Sequence, residues 1–247
     1  MDALTILAAS GMRARMESLD MLANNLANAA TAGYKGDREF YGLYTSAAAL
    51  SPPGPPGAPS ALPVIERQWT DFSQGILNPT GNPLDLAISG RGFFSVNTAN
   101  GRLYTRNGNF HLSAAGVLTT AEGHAVRLVG GGQLQSASAG PIEVTPDGAL
   151  KQDGGVLGQL ELVDFPDQSV LAKQAAGYFT APAGATPAAA TGFAVRQGRL
   201  EGSNVGAAEG AVRLVNVIRQ FEMLQRALAL GGEMNRRAVE EVARVGS

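Results

Sequence analysis

The 247-residue chain contains no cysteine. Disulfide scaffolds, cysteine-bound zinc and thiol nucleophiles are therefore excluded. Only two histidines are present, His111 and His124, and they form no His-x-His or His-x-x-x-His pair. A metal site needs several converging ligands. We therefore expect no catalytic or metal-binding role for these histidines, and no cofactor.

Charged residues are also scarce, at 16% of the chain against about 25% in typical soluble domains. The formal net charge is −2, so the chain has no basic field that would attract nucleic acid. Together with 32 glycines, the low charge suits a surface that neighbouring subunits cover. An alanine- and glycine-rich genome would produce the same composition.

No stretch of the sequence is long and apolar enough to span a membrane. Four charged residues interrupt any candidate core of a signal peptide near the amino terminus, namely Arg13, Arg15, Glu17 and Asp20. By these rules alone we expect a cytoplasmic protein. Only an export route that needs no cleaved signal peptide would change that expectation.

Motifs of common enzyme classes are missing or incomplete. Gly90-Arg91-Gly92 resembles the start of a dinucleotide-binding loop, but Ser95 stands where the third glycine is needed and no helix is predicted to follow. We expect these glycines to form a turn into a strand. The chain has no Gly-x-Ser-x-Gly elbow, and nothing brings a specific carboxylate pair together. A hydrolase is therefore disfavoured, and so is a small-molecule substrate.

Two long segments at opposite ends of the chain have helical periodicity. In the first, about Asp2 to Ala30, Met12, Leu19 and Leu26 recur every seventh residue, with Leu22 between them. We expect Gly33 to stop this helix. The second runs from about Ala207 to Val245, and its apolar stripe contains Leu214, Val217, Ile218, Phe221, Leu224 and Leu228.

Gly231 and Gly232 interrupt the second stripe and are expected to weaken or bend the helix, at about 1 kcal/mol per glycine. Each helix has an apolar face that it cannot bury alone. We therefore expect the two helices to pair as a coiled coil and then to pack with copies from other chains.

Between the helices the period changes to short alternating or apolar runs separated by turn dipeptides such as Asn100-Gly101 and Asp147-Gly148. This pattern predicts a mainly antiparallel β domain. The expected strands are Leu84–Ile88, Phe93–Val96, Leu103–Thr105, Phe110–Leu112, Val117–Thr119, Ala125–Val129, Ile142–Val144, Leu160–Phe165 and Phe193–Val195. Two segments should be irregular, the proline-rich Ser51–Pro63 and the loop Ala181–Thr191.

The predicted fold class is therefore α+β, with a discontinuous helical domain and an inserted β domain. Residues 1–34 and 206–247 form the terminal helical assembly domain. Residues 35–80 and 196–205 form an extended linker region, and residues 81–195 form the β-rich middle domain.

The end of the first helix contains three asparagines, Asn24, Asn25 and Asn28. Asparagine is unfavourable inside a helix because its amide competes for backbone hydrogen bonds. These amides could bond to a neighbouring segment or to the chain just past the helix. A polar, solvated helix face is the alternative.

Residues Ala23–Lys35 (ANNLANAATAGYK) resemble the amino-terminal signature of the flagellar rod and hook family. The resemblance to this family continues in four further motifs, Asn82–Phe94, Tyr104–Phe110, Leu200–Val205 and Arg219–Met223. The resemblance implies a non-enzymatic subunit of the basal-body rod, which polymerises through its terminal helices into a hollow, torque-transmitting shaft. It also implies export through the flagellar apparatus without a cleaved signal peptide, and partners that are copies of the chain and other rod proteins.

Within that family, the length of the chain and its sequence motifs favour a proximal-rod protein. A distal-rod protein is the close alternative. A secreted β-domain binding module on a helical stalk is a further alternative. We expect the packing role to fall on Met12, Leu19, Leu22, Leu26, Leu214, Ile218, Phe221, Leu224 and Leu228. The expected helix-end motif consists of Asn24, Asn25, Asn28, Thr31, Gly33 and Tyr34.

Overall fold

The computed structural model describes residues 3–45, 61–136 and 140–245. Two long helices, α1 (Ala3–Ala27) and α2 (Ala207–Val245), flank a series of short strands. The chain divides into two compact units. Residues 1–27, 37–69 and 207–247 form one, here called the helical unit, and residues 28–36 and 70–206 form the other, the β body. The predicted order of helix, antiparallel β region and helix is confirmed.

Helix α2 continues through Gly231 and Gly232 without a break and has the predicted bounds, and the expected weakening or bending at these glycines stays a prediction. Strong helix formers lie on both sides of the pair, and Glu233 on the far side forms an ion pair with Arg237 one turn later, at 2.5 Å. Such pairs support a helix locally. Within the described residues, no helix is long and apolar enough to cross a membrane.

Helix α1 ends at Ala27, three residues before the predicted end at Ala30, and Gly33 does not stop it. The chain turns earlier because the Thr31 amide donates to the Asn28 carbonyl at 3.0 Å and the Thr31 hydroxyl donates to Asn28 Oδ1 at 3.2 Å. Asn28 and Thr31 therefore form the turn that follows the helix.

The helical unit also contains a two-stranded sheet of β1 (Asp37–Thr45) and β2 (Ala61–Thr70). These strands lie in the region that was predicted as an extended linker. Ser51–Ser60 of the proline-rich segment lie outside the described residues, and Ala61–Pro63 begin β2. A strand that contains proline suits a two-stranded sheet, in which both strands are edges.

The β body contains the remaining strands, which pair antiparallel throughout. They are β3 (Leu77–Pro79), β4 (Leu86–Ser89), β5 (Phe93–Thr98), β6 (Gly101–Thr105), β7 (Phe110–Leu112), β8 (Leu118–Thr120), β9 (Ala125–Val126), β10 (Ile142–Val144), β11 (Ala149–Gln152), β12 (Gly155–Gln159), β13 (Leu162–Asp164), β14 (Ala172–Lys173), β15 (Tyr178–Thr180), β16 (Ala188–Ala189), β17 (Ala194–Gln197) and β18 (Arg199–Glu201). Each strand predicted between the helices overlaps one of these, and β16 lies within the predicted loop Ala181–Thr191.

The largest sheet runs in the order β14-β15-β6-β5-β9-β8-β7, with β13 also paired to β5 and β16 to β13. Strands β10, β11 and β12 form a separate sheet. Two further pairs join distant parts of the chain, β17 with β4 and β18 with β3. Because β3 and β18 belong to the predicted linker regions, those regions are partly β structure.

Strand β5 explains why the β body has two apolar cores. Successive side chains on a strand point to opposite faces. Phe94 and Val96 enter the larger core with Ile88, whereas Phe93 enters a smaller aromatic core with Phe179. Each of these five side chains is fully buried. The glycines of Gly90-Arg91-Gly92 have positive φ angles and lead directly into β5, as the sequence predicts.

Candidate functional site

The two helices pack against each other through a small apolar cluster. Met21 and Leu22 of α1 and Val217 of α2 are buried in it, and Leu19 and Leu214 pack against them partly exposed. Gly11, nearer the start of α1, lies against Leu224, and a Cβ atom on this glycine would be 3.5 Å from Leu224 Cδ1. Residue numbers thus rise along α1 while they fall along α2, so the helices run antiparallel.

The least exposed side of α2 follows one line along the helix, here called the seam. Its residues are separated by alternating steps of three and four, which is the spacing of a heptad repeat. The seam consists of Leu214, Val217, Phe221, Leu224, Leu228 and Gly231. On α1 the predicted packing residue Leu22 is buried, and Met12, Leu19 and Leu26 are partly exposed. Ile218 is 40% exposed and lies beside the seam, one position after Val217.

A second apolar line on α2 lies away from the seam and is here called the exposed face. It consists of Val212, Met223, Leu230 and Met234. Steps of eleven, seven and four residues place these side chains on one side of a helix. Their exposures lie between 60% and 71%. A row of large apolar side chains that stays exposed is typical of a surface that binds another protein.

The asparagines at the end of α1 have separate partners. Asn25 is 7% exposed and holds the chain just past the helix by two hydrogen bonds. Its Nδ2 donates to the Asp37 carbonyl at 2.7 Å, and the Asp37 amide donates to its Oδ1 at 2.9 Å. Asn28 forms the turn to Thr31 described above, and Asn24 is exposed. Of the alternatives that the sequence left open for these amides, Asn25 adopts bonding to the chain just past the helix.

The remaining members of the predicted helix-end motif lie in the β body. Gly33 has a φ of +68°, and a Cβ atom there would lie 2.3 Å from the Asn107 amide nitrogen. Only glycine fits such a position without strain. The side chain of Tyr34 is buried, and Lys173 Nζ lies 4.0 Å from the centroid of its ring. This motif therefore attaches the segment after α1 to the sheets.

Next to Tyr34 lies a set of buried charges, here called the charge triad: Lys35, Arg106 and Glu201. The side chains of Lys35 and Glu201 are 0% exposed, and that of Arg106 is 4% exposed. Lys35 Nζ lies 2.5 Å from Glu201 Oε1, and Arg106 NH1 lies 3.1 Å from Oε2. The Gly75 amide also donates to Glu201 Oε1, at 2.9 Å.

Further hydrogen bonds hold the two cations of the triad, although Arg106 Nε is buried without a hydrogen-bond partner among the described residues. Lys35 Nζ donates to the Ser73 carbonyl at 2.7 Å, and the guanidinium of Arg106 donates to the carbonyls of Ile88 and Gly90. Burial lowers the pKa of Lys35, and Glu201 opposes that shift. The pKa of Arg106 is lowered for the same reason. The triad is a structural cluster in which the single carboxylate of Glu201 pairs with both cations, so one formal positive charge is in excess.

The three members of the triad come from three distant motifs noted in the sequence. Lys35 ends Ala23–Lys35, Arg106 lies in Tyr104–Phe110, and Glu201 lies in Leu200–Val205. The sequence prediction did not assign a site role to any of them, because nothing in local patterning shows that these motifs meet. Their only signal was membership of the family-like motifs.

The predicted absence of catalytic chemistry can be compared with the structure at the two histidines. His111 Nε2 is hydrogen-bonded to the Thr119 hydroxyl at 3.1 Å, and His124 packs edge-on against Tyr178. In the part of the chain that the structure describes, no group of three or more His, Cys, Asp or Glu side chains could hold a metal ion.

Three family models match successive parts of the chain. Residues 7–35 match the flagella basal body rod protein model. Residues 87–154 match the D1 domain model of the flagellar hook protein FlgE/F/G, and residues 196–241 match the carboxyl-terminal model of the flagellar basal body rod FlgEFG proteins. The first match contains Lys35, the second Arg106 and the third Glu201.

Similar whole proteins come from several bacteria. The flagellar basal-body rod protein FlgF of Caulobacter vibrioides is 32% identical over 228 residues, with 92% of each chain covered. The flagellar basal-body rod protein FlgG of Agrobacterium fabrum is 34% identical over 252 residues, with 92% of this chain and 95% of the relative covered. FlgG of Bacillus subtilis is 29% identical, with 91% and 93% covered.

Proposed function

Because the chain belongs to the flagellar basal-body rod family and is a structural subunit of the rod, we propose that it lies in the proximal rod and polymerises through α1 and α2. The rod would then be a hollow shaft that transmits torque, with the helices as its assembly layer. Copies of this chain and other rod proteins are the partners. No cofactor or catalytic step enters this proposal.

The exposed face of α2 is the observation that carries the assembly proposal. The seam already gives each helix one partner within the chain, so Val212, Met223, Leu230 and Met234 are available to another subunit. Burying a side chain of this size stabilises a contact by about 1.5–3 kcal/mol. We assign Ile218, which lies beside the seam, to contacts with neighbouring subunits, and the remaining predicted packing residues to the coiled-coil pair.

We propose for the parts of the chain the same roles that the sequence predicts. Residues 1–34 and 206–247 serve assembly, residues 81–195 are the β domain that they carry, and residues 35–80 and 196–205 connect the two. We further propose that the flagellar export apparatus delivers the chain to the basal body without a cleaved signal peptide. Support comes from the family and from the charges that interrupt the first apolar segment.

The test is a double substitution on the exposed face, Met223→Asp with Leu230→Asp, in the full-length chain. We expect the β body and the helicity of the monomer to be unchanged, because both side chains are exposed. Assembly should fail, since two carboxylates would have to be buried at the contact. The measurements are swimming in soft agar and recovery of the subunit in purified basal bodies.

A control is Gln225→Asp, which introduces one carboxylate, against two in the double variant, at another exposed position of α2 away from the exposed face. This variant should swim and assemble like the unmodified chain. Normal swimming of the double variant would show that the exposed face is not an assembly surface.

The proximal position has its own test, because FlgF and FlgG relatives are both similar to this chain. The chain should restore swimming to a strain that lacks its FlgF-type protein and leave a strain without its FlgG-type protein non-motile. The reverse result would place it in the distal rod.

A further inference from the structure

The assembly proposal does not explain why the charge triad is buried in the β body. Taking ions out of water costs several kcal/mol each, and this cost is offset only if partners and hydrogen bonds are in place. Glu201 is the carboxylate that pairs with both Lys35 and Arg106. Without Glu201, two cations would be buried without a counter-charge. The position of this residue therefore decides whether the segments around it can dock.

The chain passes between the β body and the helical unit at four places, just after Ala27, just after Gly36, just before Thr70 and just after Gly206. Three segments of the β body lead to these places: residues 28–36, the segment that begins at Thr70 and the segment that ends at Gly206. Inside the β body, the segments at these places are joined to one another. The Gly36 amide donates to Asn204 Oδ1 at 2.8 Å, and Asn204 Nδ2 donates to the Asp71 carbonyl at 2.7 Å. The Asp71 amide donates to the Gly36 carbonyl at 2.8 Å, which closes the ring.

The same three segments combine polar contacts with limited apolar packing. The buried residues of the two apolar cores come from 86–195, and Phe72 packs partly buried against the smaller core. Tyr34 is also buried, and β3 and β18 pair over only three residues each. Regions with few buried apolar contacts open locally at a lower free energy than the core. The triad and Asn204 thus supply the side-chain polar contacts that join these segments to one another.

We propose that Lys35, Arg106, Glu201 and Asn204 form a latch that fixes all three crossing segments to the β body. When the latch opens, residues 33–36, 70–75 and 201–204 detach together while the sheets remain folded. The latch is a property of the monomer, so the proposal holds or fails independently of rod assembly.

The main test is Glu201→Gln in the full-length chain, which removes the charge and keeps the shape. Trypsin cleavage after Lys35 requires this residue to leave its buried position. We expect the cleavage rate to rise on the order of 100-fold, because the two cations lose their counter-charge. Amide hydrogen exchange at Phe94 and Leu118, inside the large sheet, should stay within about threefold of its original rate.

A matched control is Glu161→Gln, at an ion pair of the same β body. Glu161 Oε2 lies 2.5 Å from Nε of the buried Arg127, and neither residue belongs to a crossing segment. Cleavage after Lys35 should change by less than about threefold in this variant. Equal effects of the two substitutions, or equal acceleration at the sheet amides, would overturn the latch.

If the Glu201→Gln variant does not fold, Asn204→Ala provides the test of the latch. The alanine removes the hydrogen bonds of Asn204 without leaving a buried ion. Cleavage after Lys35 should rise about tenfold, again with the sheet amides unchanged. An unchanged cleavage rate, or a uniform rise at the sheet amides, would contradict the proposal.

Discussion

The β body and the helical unit bury their side chains to very different degrees. In the β body, Phe93, Phe94 and Phe179 are 0% exposed, and even a lysine and a glutamate are fully enclosed. In the helical unit, α2 exposes Met223 at 60% and Met234 at 71%. The β body encloses two apolar cores, although single side chains such as Ile76 and Val156 stay exposed. Helix α2 instead leaves a row of four large apolar side chains exposed.

The ion pairs of the two units differ in the same way. Those of the helices join residues one turn apart and are largely exposed, as with Arg213 and Glu209 at 58% and 67%. Such pairs stabilise a helix by only a few tenths of a kcal/mol. The charge triad instead joins residues far apart in the sequence. The β body thus holds its buried charges within its own fold, and the exposed face of α2 is the surface that we propose other subunits cover.

The largest expected effect compares one core residue from each unit. Phe94→Ala should lower the free energy of unfolding of the β body by about 3–5 kcal/mol, because Phe94 is fully buried. Leu228→Ala, on the partly exposed seam, should cost the monomer only about 1 kcal/mol. Urea unfolding followed by hydrogen exchange separates the two units. Similar losses from both substitutions would contradict the contrast between the units.

A smaller effect is expected for alanine at two glycines. Gly33→Ala should destabilise the β body by about 2–3 kcal/mol, because φ is positive and the Asn107 backbone leaves no room. Gly232→Ala should stabilise α2 by about 1 kcal/mol, since a Cβ atom there meets nothing within 4 Å. Thermal unfolding followed by circular dichroism measures both. Destabilisation by Gly232→Ala would indicate that the glycine is needed for close packing.

The smallest effect concerns pH and involves the β body. Burial, together with the hydrogen bond to Glu122, raises the pKa of Tyr178 above its usual value. The stability that this provides is complete below the unfolded-state pKa of about 10 and is lost as the pH rises above it. Between about pH 9 and 11, the free energy of unfolding of the Tyr178→Phe variant should therefore decrease less than that of the unmodified chain. Urea midpoints across this range give the comparison, and parallel curves would contradict it.

Local periodicity was enough to predict the helices and most of the central strands. Strand β5, with Phe93 and Phe94, stands out because its apolar residues are consecutive and turns flank it. Strands β3 and β18 were not predicted, because neither contains a run or alternation of apolar residues and each is defined only by its partner. Pairing between Leu77 and Glu201 is a property of the folded chain and leaves no local pattern.

Among the candidate sites, too, those marked by a local pattern could be predicted and those formed by long-range contacts could not. Heptad spacing located the seam, but the sequence also placed Ile218 in the stripe. Apolar character alone does not distinguish the side of a helix that meets its partner within the chain from the side that remains exposed. The charge triad could not be predicted at all, because lysine, arginine and glutamate are normally surface residues. Their burial follows from long-range contacts that only the fold shows.

Glu201 has a consequence for the order in which the chain can fold. During synthesis the amino-terminal part emerges first, so Lys35 and Arg106 are available long before their shared carboxylate. Until Glu201 emerges, burying either cation is unfavourable, and the crossing segments remain undocked. Under the export route that we propose, this delay would keep the chain from completing its fold early. Its β body becomes complete only when the residues that immediately precede α2 have arrived.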